Sequence, residues 1–209
     1  MHGIVIRSCL FACVILLSSL YLTAQVRFGD FELPVREVRQ VGISGNLGLK
    51  SLTGVGISFQ YYLIPKFALD GGVGLSNFGY NLAGRGRYLF SQKNFAPFAA
   101  LGFIYGTGSF NQVIELTDVS SGNALWINLH PSRFIQLTGG AEYVARSGFF
   151  IMFSAGISIL LHETSYEITS GFPSPEMKES LDFIYNTGFS TEVSIGYIFG
   201  NKKGYRGKL

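Results

Sequence analysis

Alternation of apolar and polar residues is the dominant pattern of the chain beyond residue 37. A period of two places successive side chains on opposite faces of a β-strand. Eight segments show this alternation, and each is about long enough (~9–11 residues) to cross a bilayer as a tilted strand. The predicted strands cover residues 38–50, 54–63, 67–77, 80–90, 95–107, 134–145, 148–161 and 188–199.

The lengths of the connections between these strands also alternate. Short turns follow the second, fourth and sixth strands, whereas the opposite end carries two long loops, 108–133 and 162–187. This arrangement is typical of outer-membrane barrels. We therefore predict an all-β fold, an eight-stranded antiparallel up-and-down transmembrane β-barrel with periplasmic N- and C-termini. Within the first long loop, residues 113–119 and 124–129 are predicted to pair as a hairpin.

Aromatic residues with outward parity collect beside the short turns. Rings at the level of the lipid headgroups form the aromatic girdle of a membrane barrel. A soluble lipocalin-like calyx is the competing fold, but it would need polar outer faces. The predicted girdle comprises Tyr61, Phe67, Tyr88, Phe90, Tyr143 and Phe149, with Phe95, Tyr197 and Phe199 beside them.

The N-terminus predicts export. A weakly basic start precedes an apolar run over residues 8–22, and Ala24 suits the position before a signal-peptidase cut. We expect residues 1–24 to be a cleaved signal peptide; an uncleaved membrane anchor and lipidation at Cys13 are the alternatives. The remaining regions are then an N-terminal periplasmic segment (25–37), the barrel (38–199) and a basic tail (200–209).

Composition narrows the class of protein further. Charged residues make up 14% of the chain and aromatic residues 15%, and 27 of the 209 residues are Gly. This composition excludes a disordered chain, which would be rich in charged residues and poor in aromatic ones. It also argues against a helical bundle, because 27 glycines would destabilise the helices. The net charge is only +3, and the sequence has no stripe of basic residues. We therefore expect no nucleic-acid partner. Both cysteines, Cys9 and Cys13, lie in the predicted signal peptide.

The last predicted strand carries the most specific motif, Ser194-Ile195-Gly196-Tyr197-Ile198-Phe199. With this hexamer the chain resembles the small eight-stranded outer-membrane barrels of Gram-negative bacteria, most closely the porin-like β-barrel family common in Bacteroidetes. The resemblance implies an assembly signal at Ser194, Gly196, Tyr197 and Phe199 that the barrel-assembly machinery reads, and outer-membrane lipid as the surrounding medium. The chain differs from that pattern because ten residues follow Phe199.

Five charged residues have inward parity, and the lumen of an eight-stranded barrel is only wide enough for side chains. If the third hairpin is symmetric about residues 78 and 79, Asp70 faces Arg87, and Arg85 approaches Glu192 across the barrel. Since buried charges need partners, we interpret the five as a structural network that fills the lumen. A gate for a narrow pore is the alternative. The predicted network is Asp70, Arg85, Arg87, Glu142 and Glu192.

These patterns favour a structural or surface-interaction protein that displays its two long loops to an extracellular ligand or partner protein. A narrow-pore transporter of small solutes or apolar molecules is the alternative. A remote third is a lipid-modifying hydrolase, because His130-Pro131-Ser132 with Glu142 faintly resembles the His-x-Ser and downstream Glu of outer-membrane lipid A deacylases. We expect no enzyme activity and no cofactor, since the sequence has no phosphate loop or dinucleotide fingerprint. We also expect no metal site, because His162-Glu163 lacks a second His at helical spacing.

Overall fold

The computed structural model describes residues 34–110, 112–118, 122–161 and 164–200. The predicted signal peptide, most of the 25–37 segment and nearly all of the basic tail lie outside these residues. The elements follow in chain order as α1 (Val35–Val38), β1 (Arg39–Leu49), β2 (Val55–Ile64), β3 (Phe67–Ser76), β4 (Gly79–Leu89), β5 (Phe95–Gly106), β6 (Val113–Thr117), β7 (Ala124–Leu129), β8 (Ser132–Val144), β9 (Phe149–Leu160), β10 (Tyr166–Ser170), α2 (Pro175–Tyr185) and β11 (Gly188–Gly200).

Eight of these strands close into an antiparallel barrel in the order β1-β11-β9-β8-β5-β4-β3-β2. The first and last strands close it, with Val41 opposite Phe199 and Leu47 opposite Val193. The eight-stranded antiparallel prediction is confirmed, and each predicted strand begins and ends within two residues of the observed one. We call the end with the connections β2–β3, β4–β5 and β8–β9 the short-turn end, and the opposite end the loop end.

The two faces of the barrel wall differ sharply in exposure. In β2 the inward residues Ser58, Gln60 and Tyr62 are buried, while Phe59 is 57% exposed on the outer face. The same division holds around the barrel, so its outer wall is a continuous apolar band rather than the polar surface of a water-soluble barrel. Among the described residues, no helix is long and apolar enough to cross a bilayer. Exposed apolar residues of the wall include Val41, Leu47, Val55, Ile57, Leu69, Val73, Leu75, Leu82, Leu101, Phe103, Leu137, Ile151, Phe153, Ile157, Val193 and Ile195.

The described parts of the long loops fold into a small subdomain, which we call the loop cap (residues 108–110, 112–118, 122–131 and 164–187). β6 pairs with β7, which confirms the predicted hairpin, and β7 also pairs with β10 to complete a three-stranded sheet. Strand β10 and helix α2 were not predicted from the sequence. Helix α2 begins at an N-cap, where Ser174 Oγ accepts a hydrogen bond from Met177 N and Pro175 occupies the first turn.

The predicted register of the β3–β4 hairpin is wrong by two residues. Asp70 lies directly opposite Arg85, not Arg87. The cause is a two-residue turn at Asn77 and Phe78, closed by the pair Ser76 and Gly79, so its centre lies between residues 77 and 78. Gly79 has a positive φ of 82°, which glycine adopts without strain.

Candidate functional site

Glu142 is the centre of the buried charges near the short-turn end. Its Oε1 lies 2.8 Å from Arg36 Nε and accepts a hydrogen bond from Tyr62 Oη at 2.7 Å. Its Oε2 accepts a hydrogen bond from Arg87 Nη1. The Glu142 side chain is fully buried, as are those of Arg36 and Arg87. The carboxylate therefore has two guanidinium partners and a phenol, with no exposure to solvent.

Asp70 joins the two arginines of β4. Arg85 Nε lies 2.7 Å from Asp70 Oδ2, and Arg87 Nη2 donates to Asp70 Oδ1 at 3.0 Å. Arg87 Nε is 2.7 Å from Oδ2, a close ion-pair contact in which the N–H does not point at the oxygen. Although the register differs from the prediction, Asp70 still contacts Arg87, because residues two apart on one strand share a face.

Glu192 on β11 completes the network across the lumen. Arg85 Nη2 lies 2.9 Å from Glu192 Oε1, which is the cross-barrel contact that parity suggested. Glu192 Oε2 accepts a hydrogen bond from the backbone N–H of Leu52 at 2.9 Å. All five predicted lumen charges thus lie in one connected set, and Glu192 links that set to the connection between β1 and β2.

Arg36 is the one charged member of this set that was not predicted from the sequence. It lies on α1, outside any alternating strand, and its guanidinium also donates to the carbonyls of Lys93 (2.5 Å) and Asn94 (3.2 Å) in the β4–β5 turn. The five predicted charges sum to −1, whereas Arg36 brings the network to three cations and three anions. A buried network with unbalanced charge is costly. That imbalance was the available signal for a sixth, cationic member.

The half of the lumen nearer the loop end is filled by residues 50–54. These residues connect β1 and β2, and we call them the inner loop. All five of its residues are buried. The Lys50 carbonyl accepts hydrogen bonds from Gln136 Nε2 and Ser158 Oγ, each at 3.0 Å. Thr53 Oγ1 accepts one from Asn46 Nδ2 at 3.2 Å. The inward course of this connection was not predicted from the sequence.

Inward glycines on β3 make room for the inner loop. A Cβ on Gly72 would lie 2.6 Å from Thr53 Cγ2, and one on Gly74 would lie 2.3 Å from the Thr53 carbonyl oxygen. Both distances are too short for a real side chain. Gly72 and Gly74 therefore border the volume that the inner loop occupies.

The loop cap closes the loop end with an apolar cluster. The buried members of this cluster include Leu52 of the inner loop, Phe78 of the β3–β4 turn, Phe134 of β8, and Leu181 and Tyr185 of α2. The Phe78 and Phe134 rings are 4.7 Å apart. At the tip of β6, the Asp118 carboxylate accepts hydrogen bonds from the Ser174 N–H (2.8 Å) and hydroxyl (3.1 Å).

Tyr166 fastens β10 to α2 within the loop cap. Its hydroxyl donates to Asp182 Oδ1 at 2.8 Å. Burial and this hydrogen bond to an acidic neighbour together raise the pKa of Tyr166 to about 12. The phenol therefore remains a hydrogen-bond donor throughout the physiological pH range.

The predicted girdle residues lie on the outer wall beside the short turns. Tyr197 is opposite Phe149, and Phe67 is opposite Tyr88. The Tyr88 and Phe90 rings are 5.5 Å apart in an edge-to-face arrangement. Tyr61, Tyr88, Phe90, Tyr143 and Phe149 are exposed, and Phe67 is partly exposed.

The four residues of the predicted assembly signal divide between the two faces of β11. Ser194 is fully buried and its hydroxyl lies 3.3 Å from Glu192 Oε1. Tyr197 and Phe199 are exposed on the outer wall. A Cβ on Gly196 would lie 2.6 Å from Phe150 Cε1, so glycine at this position lets the Phe150 ring pack inside the barrel.

The residues of the hydrolase alternative are not brought together. Ser132 and Glu142 stand at opposite ends of β8, ten residues and therefore roughly 33 Å apart. His130 Nε2 lies 3.3 Å from Glu167 Oε2 instead. His162 and Glu163 fall outside the described residues. Within the described ranges, no group of three His, Cys, Asp or Glu residues is placed to hold a metal ion.

Comparisons with known proteins find similarity to solved structures but not to any family model or curated sequence. No protein-family model matches the chain, and no curated protein matches it. Among solved structures, the N-terminal β-barrel domain of OprF from Pseudomonas aeruginosa aligns at 15% identity with a TM-score of 0.45. The alignment covers 77% of this chain and 98% of that domain.

Proposed function

We propose that this chain is an integral outer-membrane protein whose sealed barrel anchors and displays the loop cap at the cell surface. The filled, charge-balanced lumen carries this proposal. Arg36 fills the lumen at the short-turn end, and the network of arginines and carboxylates crosses its middle. The inner loop fills the half of the lumen nearer the loop end. A barrel built to conduct would leave its interior polar and open.

The outer wall supports the membrane location. Apolar side chains cover the middle of the wall, and the exposed aromatics at the short-turn end suit the headgroup region of one leaflet. In this arrangement the loop cap faces outward from the opposite leaflet. Outer-membrane lipid is then the partner of the wall, and the barrel-assembly machinery is the partner that reads Ser194, Gly196, Tyr197 and Phe199 during biogenesis.

The role of the loop cap in this proposal is non-enzymatic interaction with an extracellular ligand or partner protein. Both long loops are folded against each other through β7, β10 and α2, and share an apolar cluster. A folded cap presents a fixed surface, which lowers the entropic cost of binding.

A gated narrow pore is the second candidate. The observation in its favour is a set of buried side-chain atoms around the lumen that have no hydrogen-bond partner among the described residues. If the inner loop or α1 moves, these atoms would hydrogen-bond to water and so stabilise a water-filled path through the lumen. They include Gln60 Nε2, Arg85 Nη1, Gln136 Oε1 and Thr138 Oγ1.

Planar-bilayer recording separates the two candidates. We expect protein whose folding is verified by a heat-dependent shift in gel mobility to show no stable conductance, because both ends and the middle of the lumen are filled. Arg36→Ala is the companion variant, since it empties the short-turn end. A steady porin-sized current from the wild type contradicts the sealed barrel. Brief wild-type openings that Arg36→Ala makes frequent would favour the gated pore.

A further inference from the structure

The loop-cap sheet has one buried face and one free face. Leu125, Ile127 and Leu129 of the central strand β7 point into the apolar cluster and are almost completely buried. Alternate residues of the same sheet point the other way and form the surface that we call the outer sheet face. It consists of Val113, Glu115, Thr117, Ala124, Trp126, Asn128, Glu167 and Ser170.

Trp126 lies at the centre of the outer sheet face. It is the one tryptophan of the chain and is 36% exposed, although Trp is on average among the more buried residue types. Glu115 is directly opposite Trp126 on β6. On the other side, Glu167 of β10 is opposite Asn128, two residues along the same face. The indole is therefore flanked by carboxylates from both neighbouring strands.

The charge around Trp126 is of one sign. The outer sheet face has two carboxylates and no Lys or Arg. Across residues 108–131 and 164–187, the sequence has six Asp or Glu residues against Lys178. His130 contacts Glu167 at 3.3 Å, but both side chains are largely open to solvent, at 43% and 66% exposure. The carboxylates of Glu115 and Glu167 are therefore both accessible to a cation from another molecule.

We propose that the outer sheet face binds a lysine or arginine side chain from a basic segment of a partner protein. The cation lies against the Trp126 ring, where its attraction to the π face is strongest for tryptophan. Glu115 and Glu167 accept charge-assisted hydrogen bonds from it. Because the opposite face of the sheet is packed in the apolar cluster, the strands that carry the three groups are fixed before binding. This inference rests on the proposed display of the loop cap and specifies the chemistry of its partner.

Trp126 is also the probe for the test. Titration of the folded protein in detergent micelles with a lysine-rich peptide should change the intrinsic tryptophan fluorescence in a saturable manner. In Glu115→Gln with Glu167→Gln, the affinity should fall about tenfold, which corresponds to two exposed ion pairs. A labelled peptide followed by fluorescence anisotropy gives the same affinity without relying on the indole, and by this readout Trp126→Ala should bind several-fold more weakly.

The matched control removes the same two charges elsewhere on the loop cap. Glu176 and Glu179 are exposed on α2 and lie outside the sheet, so Glu176→Gln with Glu179→Gln should change the affinity by less than about twofold. Equal losses in both double variants overturn the site, because they show general attraction to an acidic surface. Absence of peptide binding, or saturable binding of a neutral oligosaccharide in its place, also overturns it. The assay needs no membrane orientation, so its failure is distinct from a failure of surface display.

Discussion

Replacing Glu142 with alanine is expected to lower the free energy of unfolding by about 3–5 kcal/mol. The variant leaves Arg36 and Arg87 buried with one carboxylate fewer and removes the acceptor of the Tyr62 hydroxyl. A buried charge without its partner bears the desolvation cost without the attraction that offsets it. Urea titration of the protein in detergent micelles, followed by gel mobility, measures the change.

Two companion variants show whether charge balance is the cause. Glu179→Ala removes an exposed carboxylate from α2 and should change the unfolding free energy by no more than about 0.5 kcal/mol. Arg36→Gln with Glu142→Gln keeps the network neutral, so it should be less destabilised than the sum of its single variants. A loss below about 1 kcal/mol for Glu142→Ala, or strictly additive losses in the pair, contradicts a coupled network.

Gly74→Ala is expected to destabilise the barrel by roughly 1–3 kcal/mol through overpacking. The added methyl group would lie 2.3 Å from the Thr53 carbonyl oxygen and 2.6 Å from that of Val55. Because both contacts are with backbone atoms, a rotamer change cannot relieve them, and the inner loop must shift. The urea titration described for Glu142 measures the loss.

Gly71→Ala is the matched control on the same strand. Gly71 is exposed on the outer wall, and the nearest atom to its added Cβ is the Ala83 carbonyl oxygen at 3.9 Å. Its substitution should change the unfolding free energy by no more than about 0.5 kcal/mol. Equal effects of the two substitutions would show that the inner loop does not fill the lumen.

The strands could be predicted from sequence because the barrel wall imposes a strict period of two. Residues such as Ile57 and Phe59 must face one medium, and Ser58 and Gln60 the other, over a whole strand length. The 113–129 hairpin was predictable for the same reason. Register was not, because residue parity is unchanged by a shift of two, so placing Asp70 opposite Arg85 required the turn geometry at Asn77 and Phe78.

The inner parts of the site depend on segments that have no period. Arg36 lies on a single helical turn, and the inner loop is five residues of mixed character, so no alternation indicates which way they point. Their signals were indirect. The predicted lumen charges did not balance without Arg36, and the inward glycines Gly72 and Gly74 left a volume that another segment had to fill.

Site-specific labelling from the two sides of the outer membrane tests the central claim most directly. Because both native cysteines lie in the predicted signal peptide, single cysteines can be introduced at Thr117 in the loop cap and at Ser147 in a short turn, both of which are exposed. We expect a membrane-impermeant maleimide to label Thr117→Cys in intact cells, and Ser147→Cys only after the outer membrane is permeabilised. Equal labelling of both positions in intact cells, or labelling of the short turn alone, would contradict a membrane-spanning barrel that displays its loop cap outward.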